Sequence, residues 1–282
     1  MLAWCDGEPW IKSTEAYRDM QIARSKHIRI STKVSLLDNK QYQAASKFEQ
    51  PWCPEYETLM KDFALTCPSE KPGQRPYKIS DYISLKPKGL NNAMMAVAQA
   101  HFIMLPVLYP QKIGMHFVTD EDLDAFCHMW KCYGYFLGIE DEYNFCNGNL
   151  KEIKQRLRDL SQHWTIQNFK EIQPEYVHVT KCMIEALNYY IYIPYKSFTL
   201  FLTETLNLNM PNLYASLSYA EWIAYIAFRF LLHHALKFSS VRSFVNKLMC
   251  KMLEAALNID SKKLAELHEK SKRQLSDFDI NL

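Results

Sequence analysis

Between Asn149 and Trp164, the apolar residues Leu150, Ile153, Leu157, Leu160 and Trp164 recur at alternating steps of three and four. Only an α-helix gathers such a spacing onto one face, since a strand would scatter it over both. Asn149 stands where a cap is needed, and Glu152 occupies the position from which its carboxylate reaches back to the Asn149 backbone. The same logic applies upstream. Thr119 precedes Asp120, Glu121 and Asp122, followed by the stripe Leu123, Phe126, Trp130, Tyr133 and Leu137, and Gly138 ends the segment.

Further helices are predicted over Thr14–Ser35, with Ser13 or Thr14 as cap, and over Gly89–Tyr109, which ends against Pro106 and Pro110 and whose composition suggests full burial. Others are predicted over Pro174–Tyr192, Ser197–Leu206, Ser218–Lys237, Val241–Leu257 and Ser261–Leu275. Trp10 and Pro9 suggest a packed, extended lead-in. Six prolines between Leu36 and Pro87 break periodicity, so that stretch reads as loops with one short helix near Tyr56–Leu65. No strand pattern competes. The expectation is an all-α fold: a single multi-helix domain over residues 1–282, with residues 258–282 as a charged peripheral helix.

The 33 basic and 31 acidic residues nearly cancel, so no long-range field favours a phosphate backbone, and nucleic acid is not expected as a partner. With seven glycines there is no phosphate-cradling loop, no G-x-S-x-G elbow and no H-E-x-x-H helix. The eight cysteines, with no apolar signal segment after Met1, read as reduced thiols of an intracellular protein. Tyr219–Leu236 approaches the length of a membrane span, but it carries Glu221, Arg229, His233 and His234, which favours a buried bundle helix and leaves peripheral attachment to a membrane open.

Among nine histidines, a hydrogen-bonded core or surface role is the default for any one taken alone. Glu175 and His178 form one E-x-x-H, but a di-iron bundle needs a second pair and two more carboxylates. Cys127, His128, Cys132 and Cys146 cluster in sequence, yet Cys127 and His128 point to different sides of a helix, and C-x-x-C is absent. His233 and His234 also point apart. The run Asp120–Asp124 reads as a solvated helix start.

One longer pattern stands out. The segment from Trp130 to Cys146, W-K-C-Y-G-Y-F-L-G-I-E-D-E-Y-N-F-C, resembles the W-R-x-x-G-Y-x-L-G-I-x-D-x-x-N-x-C signature of the family uniting the ER-bound oxygenase mpaB with rubber oxygenase (latex clearing protein), and in particular its arthropod branch. Trp10 followed by Arg24-Ser25-Lys26-His27 is similar to that family's W and V-R-x-x-H, and Met95–Phe102 to its M-x-x-T-Q-x-x-F helix. The resemblance covers residues 1–149.

It implies a haem-protein-like helical bundle, with haem b as cofactor and an activity that oxidatively cleaves C=C bonds of an isoprenoid or other unsaturated lipid chain. His27 falls on the family's iron ligand, and Arg24, one turn earlier, could orient a propionate. Trp130, Tyr135, Gln99 and Phe102 would line or support the cofactor pocket. Gly134 and Gly138 would permit close helix approach, while Asp141 and Asn144 cap and tether. The resemblance also implies a location in the cytoplasm or at the ER membrane. The pattern departs at Lys131, where the family has arginine, at Ala98, where it has threonine, and at Ile28, where alanine is usual. Only 26 residues precede His27, so the family's distal helix is expected to be missing and no catalytic residue on that side can be named. The remaining alternatives are a family member without oxygen chemistry, and a haem-free helical module that binds lipid or protein. The sequence sets no oligomeric state.

Overall fold

The computed structural model describes residues 7–45, 47–48, 50–68, 90–188 and 192–276. All regular structure among them is helical, and no strand occurs among the described residues. The fold is all-α. The helices are α1 (Glu15–Ser35), α2 (Asn39–Ala45), α3 (Tyr56–Thr66), α4 (Asn92–Leu108), α5 (Asp120–Leu137), α6 (Leu150–Leu160), α7 (Pro174–Leu187), α8 (Tyr195–Thr205), α9 (Pro211–Ala215), α10 (Tyr219–His233), α11 (Ser239–Leu257) and α12 (Ser261–Ser276). The chain divides into two compact units, one of residues 1–47, 69–110 and 117–168, the other of residues 48–68, 111–116 and 169–282.

In the first unit, α4 packs on α5 and α6, and α1 packs on α5. Its core is drawn from Ala100, Ile103, Met104 and Val107 of α4, Cys127 of α5, Cys146, and Ile153 and Leu157 of α6. The α6 stripe read from sequence is therefore the face that drives burial. Both caps form: Thr119 accepts from the Asp122 N–H while Asp122 accepts from the Thr119 N–H, and Asn149 and Glu152 pair in the same way. Gly138 sits at φ 101° with open space where a Cβ would project, so the left-handed backbone alone calls for glycine there. Beyond Leu160 the helix does not continue as α. It widens into a π turn over Ser161–Thr165 before one more turn, Ile166–Asn168.

In the second unit, α3 packs on α9, α8 packs on α7, α9 and α10, and α11 follows α10 through the turn Ala235–Lys237. Two buried ionic features hold it. The Asp62 carboxylate, fully buried in α3, accepts from the backbone N–H groups of Asn212 and Leu213 at 3.0 and 2.8 Å and from Asn212 Nδ2 at 2.7 Å. A helix start is a favourable place for an anion, because its first N–H groups lack partners within the helix. Lys181 of α7 donates to both oxygens of Glu55 at 2.7 and 2.8 Å, and its ammonium lies 4.3 Å from the Trp52 ring centre.

Several expectations require correction. The lead-in is turned and not extended, with Pro9 buried and Trp10 exposed; its residues 1–6 lie outside the described part. A helix, α2, occupies part of the stretch read as loop, and residues 69–89 of that stretch lie outside the described residues. Pro106 lies inside α4 and not at its end. It sits in the last turn, where one missing N–H forfeits only one bond. Full burial of α4 does not hold either, since Met94 and Phe102 are exposed. In α10 only Tyr225 is buried, so that helix is not a core helix; and among the described residues no helix is long and apolar enough to cross a membrane. Tyr189, Tyr190 and Ile191, expected to end α7, lie outside the described residues.

Candidate functional site

In the first unit, α1, the start of α4 and the end of α5 enclose a cleft of about 430 Å³, a volume within the range of small-molecule sites. Helical spacing places Arg24, His27, Ile28 and Ser31 on the α1 wall, and Leu90, Asn91, Asn92 and Met95 form the α4 side, with Leu137 and Gly138 closing the end. The asparagines are committed to the scaffold. Asn91 caps α4 by accepting from Met94 N–H at 2.9 Å, while Asn92 donates to the Glu140 carboxylate at 2.7 Å and accepts from its N–H at 3.2 Å. Arg24 reaches across to α5, its Nη1 donating to the Phe136 carbonyl at 3.4 Å. His27 is different. It is half-buried, and its Nδ1 is shielded from water without any hydrogen-bond partner. Such a nitrogen carries a desolvation cost that nothing in the described structure offsets.

Arg24 and His27 therefore meet in one cleft. The other residues expected to contact the cofactor do not join them there. Gln99 is buried at the junction of α4 with α5, where Nε2 donates to the Trp130 carbonyl at 2.8 Å and to Asn144 Oδ1 at 3.0 Å, and Oε1 accepts from Phe145 N–H at 3.0 Å. Asn144 completes this hub by donating to the Lys131 carbonyl at 3.0 Å and accepting from Cys146 N–H at 3.1 Å. Gly134 is needed here because a Cβ would stand 2.6 Å from Gln99 Nε2 and 2.9 Å from Asn144 Nδ2. Trp130 stacks on Phe102 with centroids 5.3 Å apart, its indole nitrogen buried without a partner. Tyr135 is 61% exposed, edge-on to Phe136. Much of the W…G…N…C pattern thus holds one helix junction together, with Cys127 and Cys146 side by side in the same core.

Of the other histidines, His233 shares this feature, its Nε2 also being buried without a hydrogen-bond partner, while His101, His128, His178 and His234 are paired or exposed. His178 of the E-x-x-H accepts the Trp52 N–H at 2.8 Å, and His101 bridges the Val97 carbonyl at 2.8 Å and the Thr165 hydroxyl at 3.2 Å. His233 faces the Phe201 ring while His234 is exposed against Phe230, and Cys127 is buried where His128 is exposed, so both adjacent pairs diverge. Among the described residues no group of three or more His, Cys, Asp or Glu side chains converges to hold a metal ion. A haem needs only one axial side chain, and the unpaired His27 imidazole beside a guanidinium, with Ile28, Leu90, Met95 and Leu137 as apolar wall, is a donor set that fits it.

Comparison of the chain with protein-family models, with curated proteins and with solved structures gives no match.

Proposed function

We propose that the chain is a haem-dependent oxygenase of the mpaB and rubber-oxygenase type, acting on the double bonds of an isoprenoid or other unsaturated lipid chain. The observation that carries this reading is the placement of His27 on the wall of the α1–α4–α5 cleft, one turn from Arg24, with no hydrogen bond made by its buried Nδ1.

His27 would hold the iron of haem b. When bound, the haem supplies dioxygen activation, and O2 added across C=C yields two carbonyl ends. The residues of the chain do the positioning. Arg24 is anchored on the α5 backbone and offers its remaining N–H groups to a carboxylate, a geometry suited to a propionate. Ile28, Met95 and Leu137 would give the haem an apolar wall. The Gln99–Asn144 hub keeps α4 and α5 at the separation that shapes the cleft, and so acts as a positioning element.

The test is product formation from polyprenyl substrates by haem-loaded protein. Wild type is expected to consume O2 and release carbonyl-ended fragments, and His27→Ala to lose both. A second reading, a haem-binding relative without oxygen chemistry, is favoured by the cleft lining, whose titratable groups are Arg24 and His27 alone among the described residues. Haem uptake without O2 consumption would select it.

A further inference from the structure

Helix α10 packs through Tyr225 and Phe228. The Tyr225 hydroxyl donates to Glu204 at 2.8 Å, and the Phe228 ring meets Phe201 at 4.8 Å. Its opposite stripe is uncovered. Tyr219, Trp222, Ile223, Ile226 and Phe230 fall within about a third of the helical circumference, and all are exposed, Tyr219 by 77% and Phe230 by 61%. After the turn at Ala235–Lys237, Phe238 is also exposed, and in α11 no described side chain is buried. Phe244 and Leu248 share one side of α11 in the open, while Met249 and Leu253, roughly a third to a half turn round the helix from them, are exposed as well. Water-facing apolar stripes on two consecutive helices exceed what scattered surface hydrophobics explain.

Charge selects the occupant. Residues 235–253 carry Lys237, Arg242, Lys247 and Lys251, with Glu254 at the next position as the one carboxylate of α11, whereas the chain as a whole has 33 basic and 31 acidic residues. A second copy of this segment would set four positive charges against four. An anionic lipid surface complements them and accepts aromatic and aliphatic side chains at the headgroup boundary. No described helix is long and apolar enough to span a bilayer, so attachment through this region would be in the plane of the surface.

We infer that α10 and α11 form a membrane-docking element, in which Phe244, Leu248 and the α10 aromatic stripe insert at the interface and Lys247 and Lys251 bind anionic headgroups. The inference stands independently of the haem reading. The test is co-sedimentation of the full chain with vesicles of phosphatidylcholine alone or mixed with phosphatidylserine. Wild type is expected to pellet with the mixed vesicles and far less with phosphatidylcholine. Each removed cation weakens partitioning about fivefold, so K247Q/K251Q should lose about 25-fold. F244S/L248S should stay in the supernatant, and because all four side chains are exposed, circular dichroism should show both variants folded. Wild type that pellets with neither vesicle, or equally with both, overturns the proposal. So does a wild-type dimer that F244S/L248S converts to monomer, which would assign the face to self-association.

Discussion

Replacing Gln99 by leucine separates two roles for this residue, cofactor contact and helix junction. Leucine is close to isosteric and keeps the site filled, but it removes two donated bonds, to Trp130 and Asn144, and one accepted from the Phe145 N–H. Each buried bond contributes about 1 kcal/mol net, and an orphaned N–H costs about 1–3 kcal/mol. The Asn144 oxygen keeps its bond from Cys146, so Phe145 is the main loss. After the gain from burying a leucine, the expected destabilisation is about 3 kcal/mol, or about 6–12 °C in melting temperature for a unit of this size. Thermal unfolding followed by circular dichroism measures the shift, and hydrogen exchange at the Phe145 amide locates it. A loss below about 1 kcal/mol with unchanged Phe145 protection would refute the junction role. Lost haem affinity at unchanged stability would instead restore Gln99 as a cofactor residue.

Other consequences follow from the second unit and the thiols. Lys181→Met leaves the Glu55 carboxylate buried and unpaired, so unfolding in urea should show a loss of about 3–5 kcal/mol, most of it recovered by adding Glu55→Leu. Burial alone raises the Glu221 carboxyl, but hydrogen bonds from the Ser218 N–H and hydroxyl and the Lys196 ammonium outweigh it, leaving the group below its ordinary value of 4.5. Its folded form therefore binds protons less readily than the unfolded chain. The resulting stability is present above pH about 4.5 and disappears as pH falls through the lower folded value, so Glu221→Gln should flatten acid unfolding in that window. Burial pushes the Cys67 thiol to about 11, so in folded protein at pH 8 a maleimide should modify exposed Cys250 first and reach Cys67, Cys127 and Cys146 only on unfolding.

The helices were legible where their signals are local. The caps at Thr119 and Asn149 and the α6 stripe as far as Leu160 involve residues within a few positions of one another, and all form. His27 and Arg24 were also placed on one face by their spacing alone. Tertiary meaning was less accessible. Gln99 and Phe102 sit at helical spacings that suit a pocket wall equally well, and only the approach of Asn144 turns Gln99 into a junction residue. Asp62 and Glu55 gave no signal, because the groups that make their burial tolerable come from Asn212, Leu213 and Lys181, more than a hundred positions away. Likewise the π turn at Ser161–Thr165 interrupts a stripe whose periodicity continues unbroken to Trp164.

The most direct test of the account is the absorption spectrum of wild type and His27→Ala after titration with haem, with melting temperatures measured alongside. Because His27 is half-buried and makes no hydrogen bond through Nδ1, the account predicts a Soret band in wild type, its loss in the variant and little change in apo-protein stability. No band in wild type, or an equal band in both proteins, would contradict the assignment of His27 as the haem ligand.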